Sequence, residues 1–393
     1  MPPALRHPVA PDDGLPLTVV FYISGHGFGH ASRQVEIVHA LVRARPGLRI
    51  IIRSAVNPGL LQRTLSVPFD LRPDACDTGI VQASSIEHDD PATIDEAARF
   101  YSTYDERIDA EVGALTSFGG DRVDLIVGDI APMAFEVAER LNVPGVAIGN
   151  FTWDWIYETH PGFVDAQPDL IPKLRASYRK ASFALELPFS GGFEVFTNRR
   201  RLPLVARRAT RTKEDTRAHF NLPASGKVAL LSFGGYGLPQ LDLASLDCLG
   251  DWTVVTTDRI KPTPGVGFEN RGIRNRHPVS VFPESSFVNS GFRYEDLVAA
   301  SDVVITKPGY GILAECISTG AAMLYTSRGQ FREYDLMVRE MPRYVRSWFI
   351  SHADLLAGRW AAALGALVDQ PPAAESMATD GAEQAARALS ERL

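Results

Sequence analysis

Two histidines and three glycines follow the first apolar run of the chain, in the stretch FYISGHGFGHASRQ. Glycines let a phosphate approach the backbone, whereas histidines suit a metal ion or proton transfer. His26 and His30 have a His-x-x-x-His spacing, but no glutamate lies between them and no third ligand is nearby, which argues against zinc. The dinucleotide fingerprint also fails, since His30 occupies its last glycine position. The sequence therefore predicts no metal and no nicotinamide cofactor, and acid/base chemistry is the remaining role for His30.

A carboxylate suited to assist such a base lies elsewhere in the chain. His30 opens a predicted helix, where the positive end of the helix dipole disfavours the imidazolium form. A neutral histidine can act as a general base, especially when a carboxylate orients its other ring nitrogen. Asp129 ends a predicted parallel strand at the same sheet edge. Its alternative role is to cap the helix that begins near Ala131 and Pro132, and both roles can coexist.

Two further glycine-rich loops, SFGGYGLP and KPGYG, also lie at predicted strand ends. Gly234 and Gly235 belong to the first loop, and Gly309 and Gly311 to the second. The second loop opens a helix whose first turn presents free N–H groups, so an anion can bind there. Both loops point toward one sheet edge, and neither matches the P-loop pattern.

Glu315 lies one turn inside the helix that follows the KPGYG loop. A carboxylate near the mouth of such a site can accept hydrogen bonds from vicinal ribose hydroxyls. The alternative is a surface glutamate that stabilises the start of the helix.

Composition bounds the remaining classes of function. The chain has 393 residues and a net charge of −7, so it favours two domains and gives no basic footprint for nucleic acid. No apolar run reaches the ~18–20 residues of a membrane span, although peripheral membrane contact stays open. Three widely spaced cysteines indicate reduced thiols and a cytoplasmic protein.

Short β-branched runs alternate with amphipathic helical stretches in two successive series, each opening as strand, glycine loop and helix. We therefore predict two doubly wound, Rossmann-like α/β domains that face each other across a cleft. The predicted boundaries are a disordered leader at 1–16, an N-terminal domain at 17–215, a C-terminal domain at 216–372 and a C-terminal helix at 373–393.

Two local expectations concern the first domain. Residues 91–116 predict one long helix. The stretch FTWDWIYETHPGF predicts a loop after a sheet strand, and its residues Phe151, Trp153, Asp154 and Trp155 are well placed to stack against a ligand. The alternative for these aromatic residues is a buried anchor between layers.

Five stretches occur in the order GHGFGHASR, NFTWDWIY, LPLVARR, LSFGG and KPGYGILAE. With them the chain resembles the GT-B glycosyltransferases over about residues 17–345, most closely the N-terminal glycosyltransferase-like region of plant L-arabinokinases. The kinase half of those proteins has no counterpart here, so the resemblance does not imply sugar phosphorylation.

The resemblance implies an inverting, metal-independent transferase with His30 as base and Asp129 as its partner. It implies no cofactor beyond a nucleotide-sugar co-substrate, with a UDP-sugar expected, and a small-molecule, lipid or glycan acceptor. The acceptor is expected in the domain at 17–215 and the nucleotide sugar in the domain at 216–372. The donor-side candidates are Gly234, Gly235, Lys307, Gly309, Gly311, Glu315, Gln330 and Glu333. The acceptor-side candidates are His26, Gly27, Gly29, Phe151, Trp153 and Asp154.

The residue that contacts the donor sugar stays open among Gln330, Glu333 and Asp335 in RGQFREYD. Two other functions also stay open. A nucleotide-sugar epimerase can share this double fold, and a non-catalytic protein of the same fold could bind a sugar or nucleotide.

Overall fold

The computed structural model describes residues 16–117, 122–234, 238, 240–241, 246, 249–257, 279–287 and 290–393. Gly235 lies outside the described residues, and so does most of the predicted leader, at residues 1–15. The described chain forms two parallel sheets with many helices, which confirms the predicted α/β class.

The first sheet has seven strands in the order β3-β2-β1-β4-β5-β6-β7, and all its pairs are parallel. Its strands are β1 (Thr18–Ile23), β2 (Arg49–Arg53), β3 (Asp70–Arg72), β4 (Val123–Asp129), β5 (Gly145–Gly149), β6 (Phe183–Glu186) and β7 (Arg199–Arg201). The helices in this part of the chain are α1 (Phe28–Ala44), α2 (Pro58–Thr64), α3 (Asp90–Ser102), α4 (Tyr104–Thr116), α5 (Met133–Leu141), α6 (Trp153–Tyr157), α7 (Phe163–Ala166) and α8 (Leu170–Tyr178).

The second sheet repeats this topology with six parallel strands in the order β10-β9-β8-β11-β12-β13. Its strands are β8 (Lys227–Ser232), β9 (Trp252–Thr256), β10 (Val279–Val281), β11 (Val303–Thr306), β12 (Ala322–Tyr325) and β13 (Ser347–Phe349). The helices are α9 (Lys213–His219), α10 (Tyr294–Ala300), α11 (Tyr310–Thr319), α12 (Arg332–Glu340), α13 (His352–Leu356), α14 (Ala361–Val368) and α15 (Gly381–Ser390).

Apolar runs explain why β1 and β8 lie in the middle of their sheets. Every residue of β1 is buried, and in β8 the four residues after Lys227 are buried. A parallel strand covered by helices on both faces needs such a continuous run, whereas an alternating pattern would expose one face. The second strand of each half and the strand after the crossover then pair on either side.

Both sheets change winding direction beside their first strand, and this topology creates a crevice at the carboxyl ends of the strands. In the first sheet, Ile23 at the end of β1 pairs with Asp129 at the end of β4. In the second, Ser232 at the end of β8 pairs with Thr306 at the end of β11. The glycine loops therefore leave each sheet at its switch point.

The long helix predicted over residues 91–116 is wrong, because the structure breaks it into α3 and α4 at Thr103. Thr103 has a non-helical backbone, with φ −114° and ψ 29°. The hydroxyls of Ser102 and Thr103 donate to the carbonyls of Arg99 and Phe100. Such local bonds compete with helical ones, and Asp105 in the first turn of α4 favours a new start.

The expected aromatic loop after β5 is wrong in part, because Trp153–Tyr157 form the short helix α6. The rings of Trp153 and Tyr157 stack at a centroid distance of 5.6 Å, as residues four apart on a helix can. Both side chains are fully buried, so packing stabilises this turn of helix.

The C-terminal helix α15 returns to the first half of the chain and packs along α1. The segment that leads into α15 is hydrogen-bonded to Leu204 through its backbone, from Leu204 N to Ala378 O and from Gly381 N to Leu204 O. The chain thus crosses back to the first sheet after completing the second.

Candidate functional site

His30 lies in the first turn of α1, immediately beyond the carboxyl end of β1. Its helix begins after Gly27, whose φ of 77° is in the left-handed region that favours glycine. No side chain caps this helix and no acidic residue lies in its first turn. The start of α1 therefore keeps its positive dipole end toward the crevice.

Asp129 faces the His30 ring from the neighbouring strand. His30 Nδ1 lies 3.3 Å from each carboxylate oxygen of Asp129, and both residues are buried. Burial alone would raise the pKa of Asp129, but the Arg33 guanidinium and His30 hold that pKa below its usual value. No side chain caps α5, so Asp129 does not fill the capping role. The predicted pair is therefore brought together in an ionised-carboxylate arrangement.

Arg33, one turn along α1 from His30, is a site residue that sequence reasoning missed. Its Nε donates to Asp129 Oδ2 at 3.3 Å, and its Nη2 contacts Asp129 Oδ1. Nη2 also lies 2.9 Å from His30 Nδ1. The i, i+3 spacing from His30 within GHASR was the available signal, since it puts both side chains on one helix face.

A chain of hydrogen bonds connects this group to the second half of the molecule. Arg33 Nη1 donates to Asn150 Oδ1 at 2.6 Å, and Asn150 Nδ2 donates to Glu333 Oε1 at 2.8 Å. Glu333 Oε2 in turn accepts from Arg328 Nη1 at 3.0 Å. Asn150 directly follows β5 and Glu333 lies in α12, so these bonds connect the two halves of the chain.

Aromatic rings surround His30 on its other sides. Phe151 meets it edge-on at 5.6 Å and Trp153 lies tilted at 6.4 Å. The His26 ring packs against Trp153 at 5.3 Å and stacks on Phe331, from the second half, at 5.9 Å. These predicted acceptor-side rings therefore converge on His30, and all are buried or nearly so in this structure.

His26 has one ring nitrogen bonded and one unpaired. Its Nδ1 accepts from the Ile80 N–H at 3.3 Å, so Nε2 carries the proton, and that N–H has no partner among the described residues. Burial, with the cation Arg328 nearby, holds the pKa of His26 well below its usual value. His26 is therefore a neutral hydrogen-bond donor next to His30, with its Nε2 buried.

Asp77 is a second buried carboxyl that sequence reasoning missed. It accepts from Trp153 Nε1 at 2.8 Å and from Ser24 Oγ at 3.0 Å. Burial raises its pKa to about 6. Asp77 thereby holds the Trp153 ring in place beside His30.

The KPGYG loop comes to the same place from the second sheet. Gly309 is the N-cap of α11, which has no side-chain cap and no acidic residue in its first turn. A Cβ on Gly311 would lie 3.5 Å from Gly29 Cα, so the two helix starts touch through glycines. Arg33 lies over the Tyr310 ring at 5.3 Å. The first turns of α1 and α11 therefore meet at the predicted cleft.

Comparisons with known proteins fit this arrangement. No protein-family model matches the chain. An L-arabinokinase from Arabidopsis thaliana is 25% identical over 379 residues, which are 95% of this chain and 34% of that protein. The chain thus spans about a third of the length of that relative. This alignment confirms the resemblance inferred from the motifs.

Solved glycosyltransferases superpose on nearly the whole chain. A kitacinnamycin glycosyltransferase has TM-score 0.60 at 17% identity and covers 96% of this chain and 99% of its own. A Polygonum tinctorium UDP-glucosyltransferase capable of glucosylating indoxyl has TM-score 0.60 at 15% identity, with 96% and 97% covered. The chain has the GT-B fold.

Within this GT-B fold, Glu315 is buried rather than at an open mouth. Its Oε1 accepts from Arg207 Nε at 2.6 Å, and its Oε2 has no partner among the described residues. Burial raises the pKa of Glu315 to about 7 although Arg207 pulls it down. Arg207, from the basic stretch LPLVARR, is another residue that sequence reasoning left unassigned. The surface-glutamate alternative is therefore wrong.

The remaining predicted residues separate into those in the site and those outside it. Glu333 is buried in the hydrogen-bonded chain that connects the two halves, whereas Gln330 and Asp335 are exposed. Asp154 is turned to Arg175, whose Nε donates to it at 2.9 Å. Gly234, with φ 71°, follows β8 at the same sheet edge as Lys307 after β11.

The described residues contain neither a metal-binding cluster nor a membrane-spanning helix. No group of three or more His, Cys, Asp or Glu side chains in that part of the chain is arranged to hold a metal ion. Among the described helices, none combines the length and apolar character needed to cross a membrane.

Proposed function

We propose that the protein is an inverting, metal-independent glycosyltransferase that moves a sugar from a nucleotide sugar to an acceptor hydroxyl, with His30 as general base. The observation that carries the proposal is the buried His30–Asp129 contact of 3.3 Å at the point where α1 meets α11. A UDP-sugar is the first donor to test, because the similar Polygonum enzyme is a UDP-glucosyltransferase.

In the proposed reaction, His30 removes the proton of the acceptor hydroxyl through Nε2. The acceptor oxygen attacks the anomeric carbon of the donor, and the bond from that carbon to the phosphate oxygen breaks. One displacement of this kind inverts the anomeric centre, and the nucleoside diphosphate leaves. General base catalysis of such a step contributes about 10²–10⁴-fold.

His30 can act as the base only in the tautomer that carries its ring proton on Nδ1. With the proton on Nδ1, Asp129 accepts it and Nε2 is available to the acceptor. With Nδ1 bare, Arg33 donates to it at 2.9 Å and Nε2 carries the proton instead. The proposal requires the first arrangement, in which Arg33 bonds to Asp129 and not to the ring.

On the acceptor side, the proposed contacts come from the glycine loop and the aromatic rings. Gly27 and Gly29 let the acceptor approach the backbone, and Phe151 and Trp153 stack against it. The unpaired Nε2–H of His26 supports a hydrogen bond to the acceptor, because leaving a buried donor unpaired costs about 1–3 kcal/mol. Because the rings are buried, the domains must part to admit the acceptor.

On the donor side, the proposed diphosphate contacts are Lys307 and the N–H groups near Gly234, Gly309 and Gly311, with Gly235 predicted to join them. The ribose is assigned to Glu315, whose Oε2 lacks a partner in the described residues. The donor sugar is assigned to Glu333, supported by its burial beside the His30 group.

Metal independence is part of the proposal. Peptide N–H groups and cationic side chains can stabilise the leaving diphosphate without a divalent ion. We expect transfer rates with and without EDTA to agree within twofold, and a large loss that Mg²⁺ or Mn²⁺ restores would contradict this point.

A panel of nucleotide sugars tests the donor assignment. Each UDP-, dTDP- and GDP-sugar is added in a thermal-shift assay, and those that raise Tm are then incubated with hydroxyl acceptors and followed for nucleotide release. A donor present at about 100 times its Kd adds ~2.7 kcal/mol of stability, a shift of a few degrees. No shift with any nucleotide sugar would refute the donor assignment.

Incubation of the best donor without acceptor separates the alternatives. Isomerised donor under these conditions would indicate an epimerase and contradict transfer. Binding without turnover across a broad acceptor panel would favour a non-catalytic protein.

A further inference from the structure

Arg328 is a buried cation with no role in the proposed reaction so far. It lies three residues beyond the end of β12 and is 9% exposed. Its Nη1 donates to Glu333 Oε2 at 3.0 Å, and its guanidinium carbon lies 4.3 Å from the Phe331 ring centre. Its Nε is buried and has no partner in the described part of the chain. The ion pair with Glu333 therefore leaves one donor of this guanidinium unsatisfied.

The guanidinium faces the start of α11. Its Nη1 lies 3.8 Å from the position that a Cβ on Gly309 would occupy. Gly309 is the N-cap of this ten-residue helix, which has no side-chain cap and no acidic residue in its first turn. The guanidinium of Arg328, which has one unsatisfied N–H, therefore lies beside the first N–H groups of α11.

Two positive groups meet at this place. Arg328 and the start of α11 are both positive, and Glu333 is the carboxylate that bonds to Arg328. The neighbouring histidines respond to this field. Burial, then Arg328 and Lys307, lower the pKa of His88 to about 4, and Arg328 also contributes to the lowered pKa of His26. Both Arg328 and the start of α11 would attract a bound anion.

We propose that Arg328 and the N-terminus of α11 together bind the diphosphate of a nucleoside diphosphate, which replaces Glu333 as the partner of Arg328. A guanidinium suits this ligand because its fork of N–H groups matches phosphate oxygens. The inference rests on the proposed function and deepens its donor site. It also gives Glu333 two states: bonded to Arg328 without donor, and released toward the donor sugar with it.

Isothermal titration of the full chain with UDP, uridine and inorganic pyrophosphate tests this site. We expect Arg328→Gln to weaken UDP and pyrophosphate binding by about 10- to 100-fold, as for a lost charged hydrogen bond, and to leave uridine binding within twofold. Arg339→Gln is the matched control, because Arg339 is an exposed arginine on α12 that pairs with Glu340. That control should bind UDP as the wild type does.

Glu333→Gln supplies a second readout that does not depend on the stability of the Arg328 variant. If the diphosphate displaces Glu333, removing this negative competitor should strengthen UDP binding several-fold. UDP binding within twofold of wild type in Arg328→Gln, or weaker UDP binding in Glu333→Gln, would overturn the site. Circular dichroism and Tm show whether each variant is folded.

Failure of the site and failure of the proposed function are distinguishable. Sugar transfer by the wild type, together with unchanged UDP binding in Arg328→Gln, would overturn the site and leave the function standing. Tight pyrophosphate binding that needs Arg328, without any sugar transfer, would support the site and refute the function. If wild type binds neither UDP nor pyrophosphate, the site is overturned.

Discussion

The starts of α1 and α11 have the same local architecture and different chemistry. Each follows a central parallel strand, begins at a glycine N-cap, and has neither a side-chain cap nor an acidic residue in its first turn. At α1, the neighbouring strand supplies Asp129 to His30. At α11, the neighbouring strand end supplies the cation Arg328 beside Gly309. A strand, glycine loop and helix therefore provide a site, and the adjacent strand ends decide its chemistry.

The charged groups around the two helix starts differ, although the two backbones are alike. The α1 end holds two buried carboxyls, Asp129 and Asp77, with Arg33 as counter-charge. The α11 end holds cations, with Glu333 reaching Arg328 from α12. We interpret the start of α1 as a site of proton transfer and the start of α11 as a site of phosphate binding.

Replacing His30, the proposed base, should impair sugar transfer without weakening donor binding, and it gives the largest expected effect. We expect His30→Ala to lower the rate of sugar transfer by about 10²–10⁴-fold, with UDP affinity within twofold of wild type. Steady-state kinetics and titration with UDP measure the two quantities separately.

His39→Gln is the control for His30→Ala, because His39 lies on the same helix and contacts Ser66 instead of the site. Its transfer rate should stay within a few-fold of wild type. Transfer that survives His30→Ala nearly intact would remove His30 as the base, and an equal loss of UDP binding would place it on the donor side.

A substitution at Gly311 that pushes the starts of α1 and α11 apart should cause an intermediate loss of activity. A Cβ on Gly311 meets Gly29 Cα at an ordinary 3.5 Å, so Gly311→Ala should be tolerated, whereas the extra methyls of Gly311→Val need the space that Gly29 occupies. Because a displacement of about 1 Å can cost 10²-fold, we expect Gly311→Val to lose about 10- to 100-fold in kcat/KM.

Gly365→Val is the control for Gly311→Val, since Gly365 lies in α14 and nothing lies within 4 Å of the position that a Cβ would occupy there. It tests the cost of valine in a helix without a tertiary clash. Equal activity of Gly311→Ala and Gly311→Val would show that the close approach of the helices does not matter for turnover.

The smallest expected effect is the change in stability with pH that comes from titration of Asp77, one of the two buried carboxyls at the start of α1. Its folded pKa of about 6 exceeds the ordinary 3.8, so the native state binds the extra proton between these values. Protonation of Asp77 therefore adds up to about 3 kcal/mol to the free energy of unfolding. This contribution is fully present below pH 3.8 and is lost as the pH rises through 6. Asp77→Asn should lack this part of the pH dependence.

Urea unfolding of wild type and Asp77→Asn at several pH values between about 4 and 7 measures that difference. Asp335→Asn, at an exposed carboxyl, serves as control and should follow the wild-type curve. A constant difference between wild type and Asp77→Asn across this range would contradict the raised pKa.

The sequence allowed the fold and the two helix starts to be predicted, because they depend on local information. Continuous apolar runs predicted the central strands, and the glycine loops marked where each strand ends. The edge strands β7 and β13 were not predicted. Both are three residues long and largely exposed, so hydrophobic periodicity carries little signal for them.

Local reasoning failed where side chains far apart in sequence decide the outcome. Arg33 and Asn150 are 117 residues apart, and Asn150 and Glu333 are 183 apart, so their hydrogen bonds have no sequence signature. Arg207 stands in a stretch rich in arginines, and only the structure shows that it pairs with the buried Glu315.

The sequence by itself determined which residues stand at strand ends and helix starts, since a strand–glycine–helix unit carries its own pattern. The tertiary structure decided what those residues face. Contact between the two halves of the chain brings Gly29 against Gly311 and connects Asp129 to Arg328 through Arg33, Asn150 and Glu333. The physical reason is burial: once water is excluded, each charged group needs a partner, and the fold determines which partner is within reach.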